Sequence, residues 1–181
     1  MKDDIIKEIV LEKGVTAEFY GGILKIKGPK GEVHRKLVVP KINLKIDSNR
    51  VIVSSIKGTK REKRIISSFA SHIKNMISGV VENHVYKLKI CSGHFPMNVS
   101  VSGDELIIKN FLGEAVPRKV KFISGVTVKI EGTEILVSSP NKEAAGQTAA
   151  KVEQLCRITN RDRRVFQDGC YIVTKSGKAV I

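Results

Sequence analysis

The stretch Gly14–Glu32, GVTAEFYGGILKIKGPKGE, returns as Pro96–Glu114, PMNVSVSGDELIIKNFLGE, over nineteen residues without a gap. Six positions are identical: Gly21/Gly103, Leu24/Leu106, Ile26/Ile108, Lys27/Lys109, Gly31/Gly113 and Glu32/Glu114. With two residues added to the later copy, Lys45–Ser55 falls on Lys129–Ser139. There Lys45/Lys129, Ile46/Ile130 and Val53-Ser54-Ser55/Val137-Ser138-Ser139 match, and Asp47/Glu131, Val51/Ile135 and Ile52/Leu136 are close substitutes. Two blocks in the same order point to a duplication, and such self-similarity decides the architecture before any single element does.

Each copy reads as short strands followed by one helix. Leu24-Lys25-Ile26-Lys27 and Leu44-Lys45-Ile46-Asp47 alternate apolar with polar residues, the period of a half-buried strand. Asp47-Ser48-Asn49-Arg50 and Glu131-Gly132-Thr133-Glu134 read as matching hairpin turns, and Tyr20-Gly21-Gly22 and Ser102-Gly103-Asp104 as another pair. The first helix begins at Thr59-Lys60-Arg61-Glu62, where the spacing lets the threonine and the glutamate cap each other's amides. Its apolar face is Ile65, Ile66, Phe69, Ala70, Ile73, Met76, Ile77 and Val80, with Gly79 near the stop. The second helix is expected to start at Ser139-Pro140, with Ser as cap and Pro in the first turn. Ala145, Ala149, Val152 and Cys156 form its inner stripe, flanked by Thr148 and Leu155. The fold class is therefore α+β: two tandem duplicated domains, each an antiparallel sheet packed on one helix. The boundaries fall at 1–82 and 83–174, with no spacer rich in Pro, Ser or Gly, followed by a basic tail at 175–181.

Charge narrows the partners. The 181 residues carry 32 Lys+Arg against 18 Asp+Glu, a net charge of +14 that repels itself unless a polyanion is bound. Residues 1–90 hold 19 basic and 9 acidic side chains, residues 91–156 hold 7 of each, and residues 157–181 hold 6 and 2. Each half therefore has its own basic region. A membrane surface is the weaker reading, because no apolar run is long enough to span a bilayer and the N-terminus is no secretory signal. Three scattered cysteines, Cys91, Cys156 and Cys170, argue against a disulfide framework and fit a reducing cytoplasm.

The segment Arg157–Gly169 is the first candidate for RNA contact. Guanidinium groups fork onto phosphate and stack on bases. Its site residues are Arg157, Arg161, Arg163 and Arg164, extended by Lys175 and Lys178 beyond a strand at Cys170–Thr174. A solvated Arg-rich loop is the plain alternative, and the neutrality of the preceding residues favours binding. Lys57, Lys60, Arg61, Lys63 and Arg64 at the start of the first helix form a second candidate contact, to RNA or another partner. They oppose the helix dipole, which suggests an external anion, although a solubilising polar face explains them nearly as well.

Other motifs carry less. Gly28-Pro29-Lys30-Gly31 has the spacing of a KH-domain clamp but joins strands, so it reads as a tight turn. Cys91-Ser92-Gly93-His94 is half a zinc site without a second pair, so neither a metal nor any other cofactor is expected. An enzyme would need Cys91 or Cys170 beside His34, His72, His84 or His94, and no spacing pairs them, so no catalytic residue is assigned. Aromatics make up only 5% of the chain, which disfavours a single-strand binder built on stacking platforms and favours structured RNA.

Several segments together resemble a known family. Leu24-Lys25-Ile26-Lys27-Gly28-Pro29-Lys30-Gly31-Glu32 is similar to the hallmark of large-subunit ribosomal protein six, the universal L-six family. His72-Ile73-Lys74-Asn75-Met76-Ile77-Ser78-Gly79-Val80, Tyr86–Ile90 with His94-Phe95-Pro96, Gly146–Ala150, and Asp162-Arg163-Arg164 with Phe166 and Asp168-Gly169 resemble its archaeal and eukaryotic branch. The short N-terminus favours an archaeal source. The resemblance implies a non-enzymatic, cytoplasmic constituent of the large ribosomal subunit that binds 23S-type rRNA near the sarcin–ricin loop, beside the translational GTPase site. Implied partners are that rRNA, neighbouring large-subunit proteins and nearby GTPases, with no membrane and no obligate small molecule. In the family the second domain and its C-terminal segment carry much of the rRNA contact, which falls here on Arg157–Lys178. The bacterial branch has a Gly/Lys-rich loop where this chain has Asn160–Gly169, so its contacts do not transfer. A free-standing RNA- or DNA-binding module is the alternative function.

Overall fold

The chain's last hairpin aside, the strands follow the repeat. The computed structural model describes residues 3–47 and 49–180, which divide into two units, Met1–Asn83 and His84–Ile181. In the first, β1 (Asp3–Val10), β2 (Thr16–Tyr20), β3 (Ile23–Gly28), β4 (Gly31–Lys36), β5 (Asn43–Asp47) and β6 (Arg50–Gly58) precede α1 (Lys60–Val81). The second holds β7 (His84–Cys91), β8 (Asn98–Ser102), β9 (Glu105–Lys109), β10 (Arg118–Lys121), β11 (Thr127–Glu131), β12 (Glu134–Ser139) and α2 (Lys142–Leu155). It ends on β13 (Gly169–Lys175) and β14 (Lys178–Ala179).

All strand pairs are antiparallel, but each unit divides its strands over two sheets, where the alternation alone suggested one. They run β1-β6-β5 and β2-β3-β4 in the first unit, and β11-β12-β7-β13-β14 and β10-β9-β8 in the second. The break in the first unit lies between β4 and β5, where Pro40 has no amide to continue a ladder and Lys41 turns with a positive φ of 68°. Asp47 pairs with Arg50 across the expected hairpin, whose Ser48 lies outside the described residues. Glu131 pairs with Glu134 across the matching turn.

The first core joins Leu24 and Ile26 of β3 and Val51 and Val53 of β6 to Ile66, Ile73, Ile77 and Val80 of α1. Burying each such side chain contributes about 1.5–3 kcal/mol. The helix runs through Gly79, expected as a stop, to Val81, because Val80 is still needed inside. Gly28 is forced by that packing: a Cβ there would lie 2.8 Å from both a methyl and the carbonyl oxygen of Val80. The Lys30 amide donates to the same carbonyl at 2.9 Å, so the turn after β3 closes the end of α1. This is the tight turn expected for Gly28–Gly31, with a packing role in place of a phosphate clamp.

The second core is built alike from Leu88, Leu106, Ile108, Ile135, Val137 and the stripe Ala145, Ala149, Val152 and Cys156. Thr148, expected at the flank, is buried within the stripe, as is Ala144. The start of α2 differs from expectation. Ser139 belongs to β12, opposite His84, and its hydroxyl donates to the Gly125 carbonyl while accepting from the Asn141 amide. Asn141 is the cap, its side-chain oxygen accepting from the amides of Glu143 and Ala144.

Candidate nucleic-acid interface

After α2 the chain crosses from the helix end to β13 by way of residues 156–168, and three anchors hold that crossing. At its start, the Arg118 guanidinium donates to the Leu155 carbonyl at 2.6 Å, pairs with Glu114 and lies 4.2 Å over the Phe111 ring. A cation is favoured at this end of a helix, where carbonyls lack intrahelical partners. In the middle, Asp162 accepts from the Arg164 amide at 2.9 Å, and its carbonyl accepts from the amides of Val165 and Phe166. At the end, Asp168 is only 3% exposed and accepts from the Gly93 amide (2.6 Å), the His94 amide (3.0 Å) and His94 Nδ1 (2.6 Å). Burial pushes this carboxyl up, but the His94 amide and ring and the Gly93 amide outweigh it and hold the group below the usual range.

The expected RNA-contact residues do not form one cluster. Arg157, Arg161, Arg163 and Arg164 are all exposed on the crossing segment. Arg161 lies 4.9 Å over the Phe166 ring, and Arg164 pairs with Asp162 at 2.8 Å while its side chain stays 91% exposed. Among the described residues no carboxylate pairs with Arg157 or Arg163. Lys175 and Lys178 are exposed cross-strand neighbours where β13 turns into β14, so they belong to a hairpin and not to a tail. At a rise of roughly 3.3 Å per residue they stand roughly 20 Å along β13 from the arginines. That spacing fits two stretches of one phosphate backbone better than one pocket.

The second expected patch is held by its own unit. Lys57 has a positive φ of 51°, and its amide donates to Asp4 at 2.8 Å, which sets it out at the end of β6. Lys60, Arg61, Lys63 and Arg64 are all exposed on the first turns of α1. Glu62 is the exception among them. It completes the capping box, and hydrogen bonds from the Thr59 hydroxyl and amide hold its carboxyl down at about 2.

Beside the crossing segment lies a groove of about 830 Å³ that sequence reasoning did not anticipate. Its rings come from positions far apart in the chain: His94 stacks on Phe166 with centroids 4.7 Å apart, and Tyr171 stands on β13. His94 and Asp168 are 74 residues apart, and no spacing rule joins them; the available signal was that both lie in segments resembling the family, which does not pair them. Arg118, the cap of α2, was missed in the same way.

Two of the three cysteines are core residues, and Cys91, expected buried, is half-buried on β7. Cys156 and Cys170 are buried free thiols in contact, and hydrogen bonding from Cys156 together with burial pushes the Cys170 thiol far up. His94 faces Asp168 and not a thiol. No cluster of His, Cys, Asp and Glu fit to hold a metal occurs among the described residues.

Comparison with known proteins gives a consistent result. The family described as Ribosomal protein L6 matches residues 12–83 and again residues 95–169, once for each half. The chain is 44% identical over 190 residues to the large ribosomal subunit protein uL6 of Nanoarchaeum equitans, covering 100% of this chain and 99% of the relative. It is likewise 44% identical over 176 residues to the protein of the same name from Methanococcus vannielii, covering 97% of each.

Proposed function

Because the chain belongs to the ribosomal protein L6 family, we propose that it is a structural constituent of the large ribosomal subunit that binds 23S-type rRNA near the sarcin–ricin loop. That position lies beside the translational GTPase site, among neighbouring large-subunit proteins. The observation that carries the reading is the crossing segment itself. Four arginines stand exposed on a loop whose buried Asp168, capped Asp162 and guanidinium-sealed helix end fix its shape before any ligand arrives. A loop already ordered loses less entropy on binding. Arg157, Arg161, Arg163 and Arg164 neutralise phosphates that would otherwise repel as RNA helices pack, and Lys175 and Lys178 extend the track. Lys57, Lys60, Arg61, Lys63 and Arg64 form a secondary contact to RNA or to a protein.

Affinity for rRNA falls with salt by a log–log slope near one unit per phosphate contact. Replacing Arg161, Arg163 and Arg164 together with Ala is expected to lower that slope by roughly three. An unchanged slope would move the contact elsewhere. Loss of the wild-type protein from large subunits after a high-salt wash would instead favour a module that acts off the ribosome.

A further inference from the structure

We propose that the groove beside the crossing segment receives one unpaired nucleobase, stacked on the His94–Phe166 wall and on Tyr171, with the adjoining phosphate on Arg163 and Lys89. The inference rests on the rRNA reading and deepens it, adding a base contact to a surface so far argued from phosphate alone.

Size and lining set the ligand class. At about 830 Å³ the groove falls within the roughly 300–1,000 Å³ of sites that hold small organic groups. Cys91 and Tyr171 give it an apolar floor on the face of β7 and β13 turned away from α2. His94 and Phe166 give it a flat aromatic wall, and Lys89 and Arg163 put positive charge on the rim. Lys89 pairs with Tyr171 across the ladder, so an ammonium and a ring stand side by side. Aromatic faces next to cations suit a base joined to its phosphate, and base–aromatic stacking needs no particular base. The same cations disfavour the Lys- and Arg-rich segments of a basic partner protein.

The wall is built to hold still. Asp168 uses both carboxylate oxygens, accepting two amides and the Nδ1 of His94, which fixes the imidazole plane against Phe166. With Nδ1 engaged, Nε2 is the polar atom of the ring left to pair with the edge of a base. A chain with few aromatics has thus gathered three rings, from positions 94, 166 and 171, at its most arginine-rich segment.

The test measures affinity of the full chain for deproteinised large-subunit rRNA across a salt series. Tyr171→Leu and Phe166→Leu are expected to weaken binding about 5- to 100-fold with an unchanged salt slope, because stacking releases no counterions. Arg163→Ala is expected to lower the slope by about one. Wild-type affinity in Tyr171→Leu overturns the proposal. So does a fall in its slope, which would mean that the ring acts only by ordering the arginines. A triple-arginine variant with an unchanged slope would instead sink the phosphate reading, whatever the leucine variants do. Ultraviolet cross-linking of intact large subunits adds a second readout. Nucleobase adducts on Phe166–Tyr171 support the proposal, and cross-links there to another protein overturn it.

Discussion

In the first half of the chain β1 is the outer strand of its sheet, paired with β6 alone; in the second, the corresponding β7 is flanked by β12 and by β13. The open edge of β1 carries Asp4, Lys7 and Glu8 and a register shift at Asp3/Ile5, devices that keep an exposed strand from pairing with strangers. The second half covers the same edge with its own last hairpin. The turns after β3 and β9 differ too. Gly28-Pro29-Lys30-Gly31 is short because the end of α1 presses on it, whereas Asn110 and a 3-10 turn at Phe111–Gly113 insert a ring into the core. Duplication supplied the scaffold. The features proposed to contact RNA, the crossing segment, β13 and the groove, lie where the second copy departs from the first.

The comparison can be broken most forcefully at Phe111. This ring is 1% exposed, it supports Arg118, and its counterpart by the repeat is Pro29 in a tight turn. Phe111→Ala is expected to cost about 3–5 kcal/mol. Hydrogen exchange should show the loss in the amides of 84–180, with those of the first half protected as before. Equal loss in both halves would mean that the copies unfold as one, and that the division between them is only geometric.

A smaller effect separates the two helix starts. The capping box at α1 has no equivalent in α2, where Asn141 caps alone and the third helical position is Ala144. Thr59→Ala should cost about 1 kcal/mol, read by denaturant unfolding. The pH dependence follows from Glu62, whose carboxyl lies at about 2 when folded against an ordinary 4.5. Its folded value is depressed, so its stabilisation is complete above pH 4.5 and is lost as pH falls towards 2. Glu62→Gln should therefore flatten the acid response of α1 protection in that window and leave α2 unaltered. An α2 response that flattens equally would assign the acid sensitivity to a shared cause.

These contrasts also show what the sequence could carry. The strand alternation and the Thr59–Glu62 box were legible because each is local, and the repeat because both copies keep the same residue order. The start of α2 was not, because Ser139 looks like a cap until its backbone is seen in β12 and its hydroxyl on Gly125. Nor was β1 read as a strand, since Asp3-Asp4-Ile5-Ile6-Lys7-Glu8 lacks clean alternation, as an edge strand can. The arginines stood out from charge alone, and the structure leaves all four exposed. The contacts of His94 with Asp168 and Phe166 were not legible, because they join residues from distant positions, and composition averages such pairs away.

The smallest effect bears on the first half's own basic patch. Lys60, Arg61 and Lys63 sit in the first turn of α1, the end at which a helix prefers negative charge. In the second half, Arg118 occupies the favourable end of α2. If the first patch is retained against the dipole, Arg61→Ala should raise the stability of the free protein by a few tenths of a kcal/mol at low salt. The gain should fade as salt screens the charges. Denaturant midpoints of the two proteins at low and high salt decide the matter. A gain that fades marks Arg61 as costing stability in isolation, the signature of a side chain kept for an external anion or acidic partner. A loss would show that the arginine supports its own helix, and the first half would then be the scaffold and the second the binding half.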